Sequence, residues 1–171
     1  MKTHRYLLLI VAFSLFGPPK AQAQDSLAMH AEHAAAPAHI VVQADAVVWG
    51  PAPPVLPPGA EIAVLEGDPS KEGPFTLRLK LPDDYHVAAH FHPVIEHVTV
   101  ISGEFHVGMG DVMDHAQGTE LTEGGFAVMQ AGVHHYAWTT DETVIQLHSM
   151  GPWGLTYVNP AHDPRGVPAG Q

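Results

Sequence analysis

From residue 61 onward the chain runs in short stretches of alternating apolar and polar positions, broken by turn residues. Phe75, Leu77, Leu79 and Leu81 interleave with Thr76, Arg78 and Lys80, the two-residue period of a half-buried strand. Similar runs predict strands at 61–65, 75–81, 85–92, 97–102, 104–108, 125–130, 134–139 and 143–150. Gly-Asp-Pro-Ser at 67–70, Gly-Asp at 110–111 and Thr-Asp-Glu at 140–142 punctuate them. No stretch reads as an amphipathic helix. About eight short strands at this spacing predict an all-β protein, an antiparallel sandwich or barrel. Phe105, Val107, Met109, Phe126, Val128, Ile101 and Leu147 are its expected core, with Tyr136 and Trp138 packed outside it. Upstream, the apolar stretch from Ile40 meets a run from 50 to 59 with five prolines, which cannot donate into a ladder and predict an ordered loop or edge segment. After the last long strand, Trp153, Tyr157 and Val158 are expected to pack over one end of the domain.

The N-terminus does not belong to this pattern. Lys2, His4 and Arg5 precede an apolar run from Tyr6 to Phe16, and Ala21-Gln22-Ala23 offers small residues for cleavage before Gln24. Residues 1–23 therefore read as a secretory signal peptide, with an apolar core too short to span a bilayer. Periplasmic or secreted localisation is the expectation. Residues 24–39 read as a flexible Ala/His-rich leader, with loose copper capture by Met29, His30 and His33 as the competing reading. One domain is expected over 40–165, and a disordered tail over 166–171.

Charge narrows the partners. All 18 acids follow residue 23, against four basic side chains, Lys71, Arg78, Lys80 and Arg165, so the formal charge moves from −11 to −14 on cleavage. Phosphate backbones and anionic lipid surfaces repel such a chain, so neither nucleic acid nor membrane is an expected partner. The absence of Cys excludes disulfides, thiolate ligands and thiol catalysis. Nucleophilic serine chemistry has no support either, because no Ser lies in Gly-x-Ser-x-Gly, and no Gly-rich phosphate loop is present.

The chemistry lies in His90-Phe91-His92-Pro93-Val94-Ile95-Glu96. Two histidines one residue apart share a face only on a strand, and a Pro-initiated turn can return Glu96 toward them. Imidazole nitrogens with a carboxylate suit one divalent transition metal, Fe, Mn, Ni, Cu or Zn. The helical His-Glu-x-x-His zinc pattern is absent.

These residues resemble the first motif of the cupin superfamily, Gly-x5-His-x-His-x3,4-Glu-x6-Gly, with His90, His92, Glu96 and Gly103 in place and Asp84 where Gly is usual. The second motif, Gly-x5-Pro-x-Gly-x2-His-x3-Asn, maps onto Gly124, Gly132 and His135, with Gln130 and Thr139 in place of Pro and Asn. Within the superfamily the chain is similar to small exported bacterial single-domain proteins. The resemblance implies an RmlC-like jelly-roll β-barrel in which His90, His92, Glu96 and His135 converge on one metal. It also implies a small-molecule substrate or ligand and a homodimer. His134 competes with His135, since a one-residue slip in register would exchange them.

Two classes of function follow. In the first, the metal site acts on a small oxygenated organic molecule, and dioxygenase, lyase and isomerase chemistries all occur in cupins. In the second, the barrel is a non-catalytic metal or small-ligand binding or sensor protein. Catalysis needs a placed acid–base group, and parity along the strands offers His86, at the barrel mouth, as a general base, with Gln146 and His148 as further cavity residues. All three turning outward would favour binding.

Overall fold

The computed structural model describes residues 39–166. The signal-peptide reading, almost all of the leader and most of the tail lie outside the described residues. No helix among those described is long and apolar enough to cross a membrane.

Among the described residues, eleven strands build two facing antiparallel sheets. The six-stranded sheet has the order β1 (Gly50–Pro51), β2 (Glu61–Glu66), β3 (Gly73–Leu81), β10 (Thr143–Gly151), β5 (Glu96–Ser102) and β8 (Phe126–Met129). The five-stranded sheet runs β11 (Thr156–Tyr157), β4 (His86–Phe91), β9 (His135–Thr139), β6 (Phe105–Met109) and β7 (Thr119–Leu121). This is an all-β jelly roll. Each long strand alternates as its sequence requires: in β3, Phe75, Leu77, Leu79 and Leu81 are buried while Thr76, Arg78 and Lys80 are half-buried. Ile145 and Leu147 of β10, Val98 and Val100 of β5, and Phe105 and Val107 of β6 join them in one core between the sheets. The prolines at 50–59 do form an edge: only Gly50–Pro51 pairs, at the margin of the six-stranded sheet.

Three expected core residues lie outside. Phe126 and Val128 are exposed, because β8 turns Met129 inward and parity sends its alternate residues to solvent. Met109 is exposed at the end of β6, where the chain turns at Gly110 with φ 121°. Ile101 is only half-buried, since Val98 and Val100 take the inward face of β5.

Strand β4 departs from simple alternation. Val87 pairs with Ala137 and His90 with His135, so two residues of β4, Ala88 and Ala89, oppose one of β9, Tyr136. This β-bulge inserts one extra residue and reverses parity upstream of it. Val87 therefore faces the core, as His90 does, and Ala89 packs outside with Tyr136 and Trp138. That outer cluster is roofed by residues 110–118: Tyr136 donates its hydroxyl to Asp114 O at 2.9 Å, and the His115 ring stacks on Trp138 at 4.5 Å. Both aromatics lie outside the barrel, as their positions in the sequence predict, but nothing in the sequence marks the roof over them.

Candidate metal centre

His90 enters the interior from β4 and His135 from the first position of β9, and the two rings lie 4.3 Å apart. His92 follows just beyond β4, held in place as Gly132 N donates to His92 O at 2.9 Å. Its ring is 5.0 Å from that of His90 and 5.1 Å from that of His135. Glu96 comes from the opposite sheet. The turn through Pro93 carries the chain across, and Ser149 fixes that turn by donating to Ile95 O at 2.5 Å. The carboxylate lies 3.4 Å from His92 Nε2 and 3.9 Å from His135 Nε2. All four side chains are buried, at 2–5% exposure.

Their hydrogen bonds set the chemistry. Nδ1 of His90 meets Ala88 O at 2.8 Å, Nδ1 of His92 meets Gly154 O at 2.7 Å, and Nδ1 of His135 meets Val133 O at 3.0 Å. A carbonyl can only accept, so each Nδ1 carries the proton and donates it. Each Nε2 is then left as a lone-pair site, and one ring nitrogen from each of the three histidines lies within 4.8 Å of the others. His92 Nε2 is buried without a hydrogen-bond partner. Converging lone pairs and a carboxylate with no donor among them are costly unless a cation joins them. Backbone carbonyls orienting ligand imidazoles through the far nitrogen are the usual support of a metal site. The donor set fits a divalent transition ion.

Electrostatics agree for two of the rings. Burial, together with the neighbouring imidazoles His135 and His92, holds His90 well below its ordinary value of 6.5 and keeps it neutral. Burial also lowers His135. At His92 burial acts in the same direction, but hydrogen bonding and charge from Glu96 outweigh it, so its pKa is raised.

Above the cluster lies a small cavity of about 40 Å³ walled by apolar side chains that include Leu79, Val98, Phe105, Met129 and Leu147. The segment after β10, not assigned to the site from the sequence, completes it: Trp153 stacks on His92 with ring centres 5.0 Å apart and lines the cavity. Gly154 from the same segment supplies the carbonyl for His92. The only sequence signal was an aromatic in a Gly/Pro-rich tail, which says nothing about where the tail returns.

The acid–base candidates lie elsewhere. His86 is on the outer face because the bulge reverses parity: it pairs with Trp138, stacks on His115 at 5.3 Å and lies 2.9 Å through Nδ1 from Asp84 O. It is not at the barrel mouth. Gln146 and His148 also face outward, since β10 turns Ile145 and Leu147 to the core; Gln146 accepts from Arg78 at 3.2 Å, and His148 stacks on His97 at 5.0 Å. His134 points out to Asp111 at 2.6 Å, so the register is the one with His135 inward. One more donor group, Glu104, His106 and Glu120, lies half-buried to exposed on the outer surface of β6 and β7.

Two of the solved structures that the chain resembles share its fold. A proposed acetylacetone dioxygenase from Methylibium petroleiphilum PM1 is 23% identical, with 74% of this chain and 85% of that chain covered and a TM-score of 0.56. A polyketide cyclase from Streptomyces resistomycificus is 14% identical, over 72% of this chain and 88% of that chain, with a TM-score of 0.57. An RmlC-like cupin from Shewanella frigidimarina NCIMB 400 is 15% identical over 64% of this chain and 87% of that chain, with a TM-score of 0.49. Identities this low bear on fold alone. No curated protein matches the sequence. The family model for the domain of unknown function DUF4437 matches residues 18–155, and the chain belongs to that family.

Proposed function

We propose that this is an exported cupin that holds one divalent transition metal on His90, His92, His135 and Glu96 and binds a small oxygen-bearing organic molecule beside it. The observation that carries this reading is the convergence of three Nε2 lone pairs, each fixed by a backbone carbonyl at Nδ1, at the base of an apolar cavity. When bound, the metal would supply Lewis-acid or redox chemistry. The residues around it supply orientation and water exclusion.

Between the two classes of function, the placement of His86, Gln146 and His148 on outer faces favours ligand binding without proton-transfer catalysis. Among the described residues, chemistry that needs a placed acid or base has only Glu96 in reach, and Glu96 lies against His92. A dioxygenase makes the smallest demand for such a group and is the enzymatic reading that this cavity best accommodates.

Metal analysis of untagged protein tests the proposal. About one equivalent of metal per chain is expected, falling at least ten-fold in His92→Ala. Substoichiometric metal that His92→Ala leaves unchanged would sink it.

A further inference from the structure

Trp153 has a buried indole Nε1–H with no acceptor among the described residues. Its ring lies against His92 at an interplanar angle of 20° and forms part of the cavity wall. Indole N–H can only donate, and a buried donor left unpaired is strongly disfavoured. Neither a cation nor the apolar wall can accept from it. A molecule that seats an oxygen in the cavity beside the ring would satisfy it.

Charge and size define that molecule. A divalent ion with three neutral imidazoles and the one carboxylate of Glu96 leaves one positive charge in an apolar enclosure. A mono-anion cancels it, whereas a neutral ligand leaves it buried. A cavity of about 40 Å³ has room for a few water-sized groups, at ~10–15 Å³ for each. That admits a ligand of only a few heavy atoms.

We propose that Trp153 is a specificity residue, donating Nε1–H to one oxygen of a small monocarboxylate seated in the cavity beside His92. This rests on the metal-site reading above. Stacking on His92 sets the direction of the indole, so the residue that braces a metal ligand also selects what lies next to it. A carboxylate is the smallest organic mono-anion with one oxygen for the cluster and a second for the indole.

The test uses metal-loaded protein, acetate as the probe and acetamide as the uncharged control of the same shape. Trp153→Phe keeps an aromatic ring on His92 and removes the N–H. The variant is expected to keep full metal content and to bind acetate about ten-fold or more weakly, the loss typical of a hydrogen bond to a charged group. Acetamide is expected to bind the wild type at least ten-fold more weakly than acetate. In the wild type, the Trp153 indole proton resonance should move downfield as acetate is added, and this signal decides the matter alone if the variant does not fold. Metal-loaded protein that ignores acetate, binds acetamide equally well, or binds acetate equally with and without the N–H would overturn this inference and leave the metal site standing. Failure to take up metal would overturn both.

Discussion

At single residues, fixed tautomers and fixed backbone angles do most of the work. Three carbonyls hold three imidazoles with the same nitrogen forward, and the Glu96 carboxylate beside His92 raises the pKa of that one ring. Metal uptake must displace any proton that His92 carries. Calorimetry in buffers of different ionisation enthalpy should therefore show proton release on metal binding that grows as the pH falls; uptake with no proton release at any pH would mean that His92 is not a ligand. Asp84 occupies the position where cupins usually carry Gly, and its φ of 54° lies in the left-handed region that glycine tolerates best. Asp is among the side chains that can adopt it, which is why the departure leaves the turn intact. Asp84→Gly should be between neutral and about 1 kcal/mol stabilising, whereas Asp84→Val should cost about 1–3 kcal/mol in denaturant unfolding.

At the level of elements, alternation made the long strands legible. Residues 75–81, 143–150 and 97–102 were read from their period within a few residues of the observed ends. The two-residue strands β1 and β11 and the three-residue β7 carry too few positions to show a period. The bulge in β4 was invisible because an inserted residue leaves no compositional mark in Val87-Ala88-Ala89, yet it moved His86 from the cavity to the surface. His90, His92, Glu96 and His135 were legible because their spacing survives all of this; the four buried side chains lie downstream of the bulge or on other strands. Trp153 was not, since its return to His92 depends on tertiary closure of the segment after β10. The roof over β9 is equally tertiary. A Cβ at Gly118 would come within 1.9 Å of the buried Trp138 ring, so Gly118→Ala should cost about 1–3 kcal/mol while leaving metal content unchanged. A melt indistinguishable from wild type would show that the roof is not packed as described.

Across the whole molecule, a Cys-free domain with one apolar core between two sheets places four buried polar ligands at that core, and its stability should depend on what fills them. Metal at a hundred times its dissociation constant adds ~2.7 kcal/mol by mass action, on the order of 10 °C in Tm for a domain of this size, and chelator should reverse it. The pH dependence follows from the same side chains. His90 and His135 have depressed folded values, so the unfolded chain binds more protons below about 6.5, and their contribution is present above that pH and lost as it falls. His92 is raised and acts oppositely, its contribution fading as pH rises through its folded value. With two rings against one, the metal-free protein should melt lower at pH 5 than at pH 7. The metal-loaded protein should lose stability more steeply over the same interval, because protons compete for every imidazole. Equal slopes for the two forms would argue against imidazole ligation.

The claim on which all of this depends is the position of the ion. Anomalous diffraction from crystals of metal-loaded protein, recorded at the absorption edge of the bound element, locates it without reference to activity. The prediction is one strong peak bonded to Nε2 of His90, His92 and His135, with Glu96 beside it. A silent barrel interior, or a peak confined to the surface group of Glu104, His106 and Glu120, would contradict it.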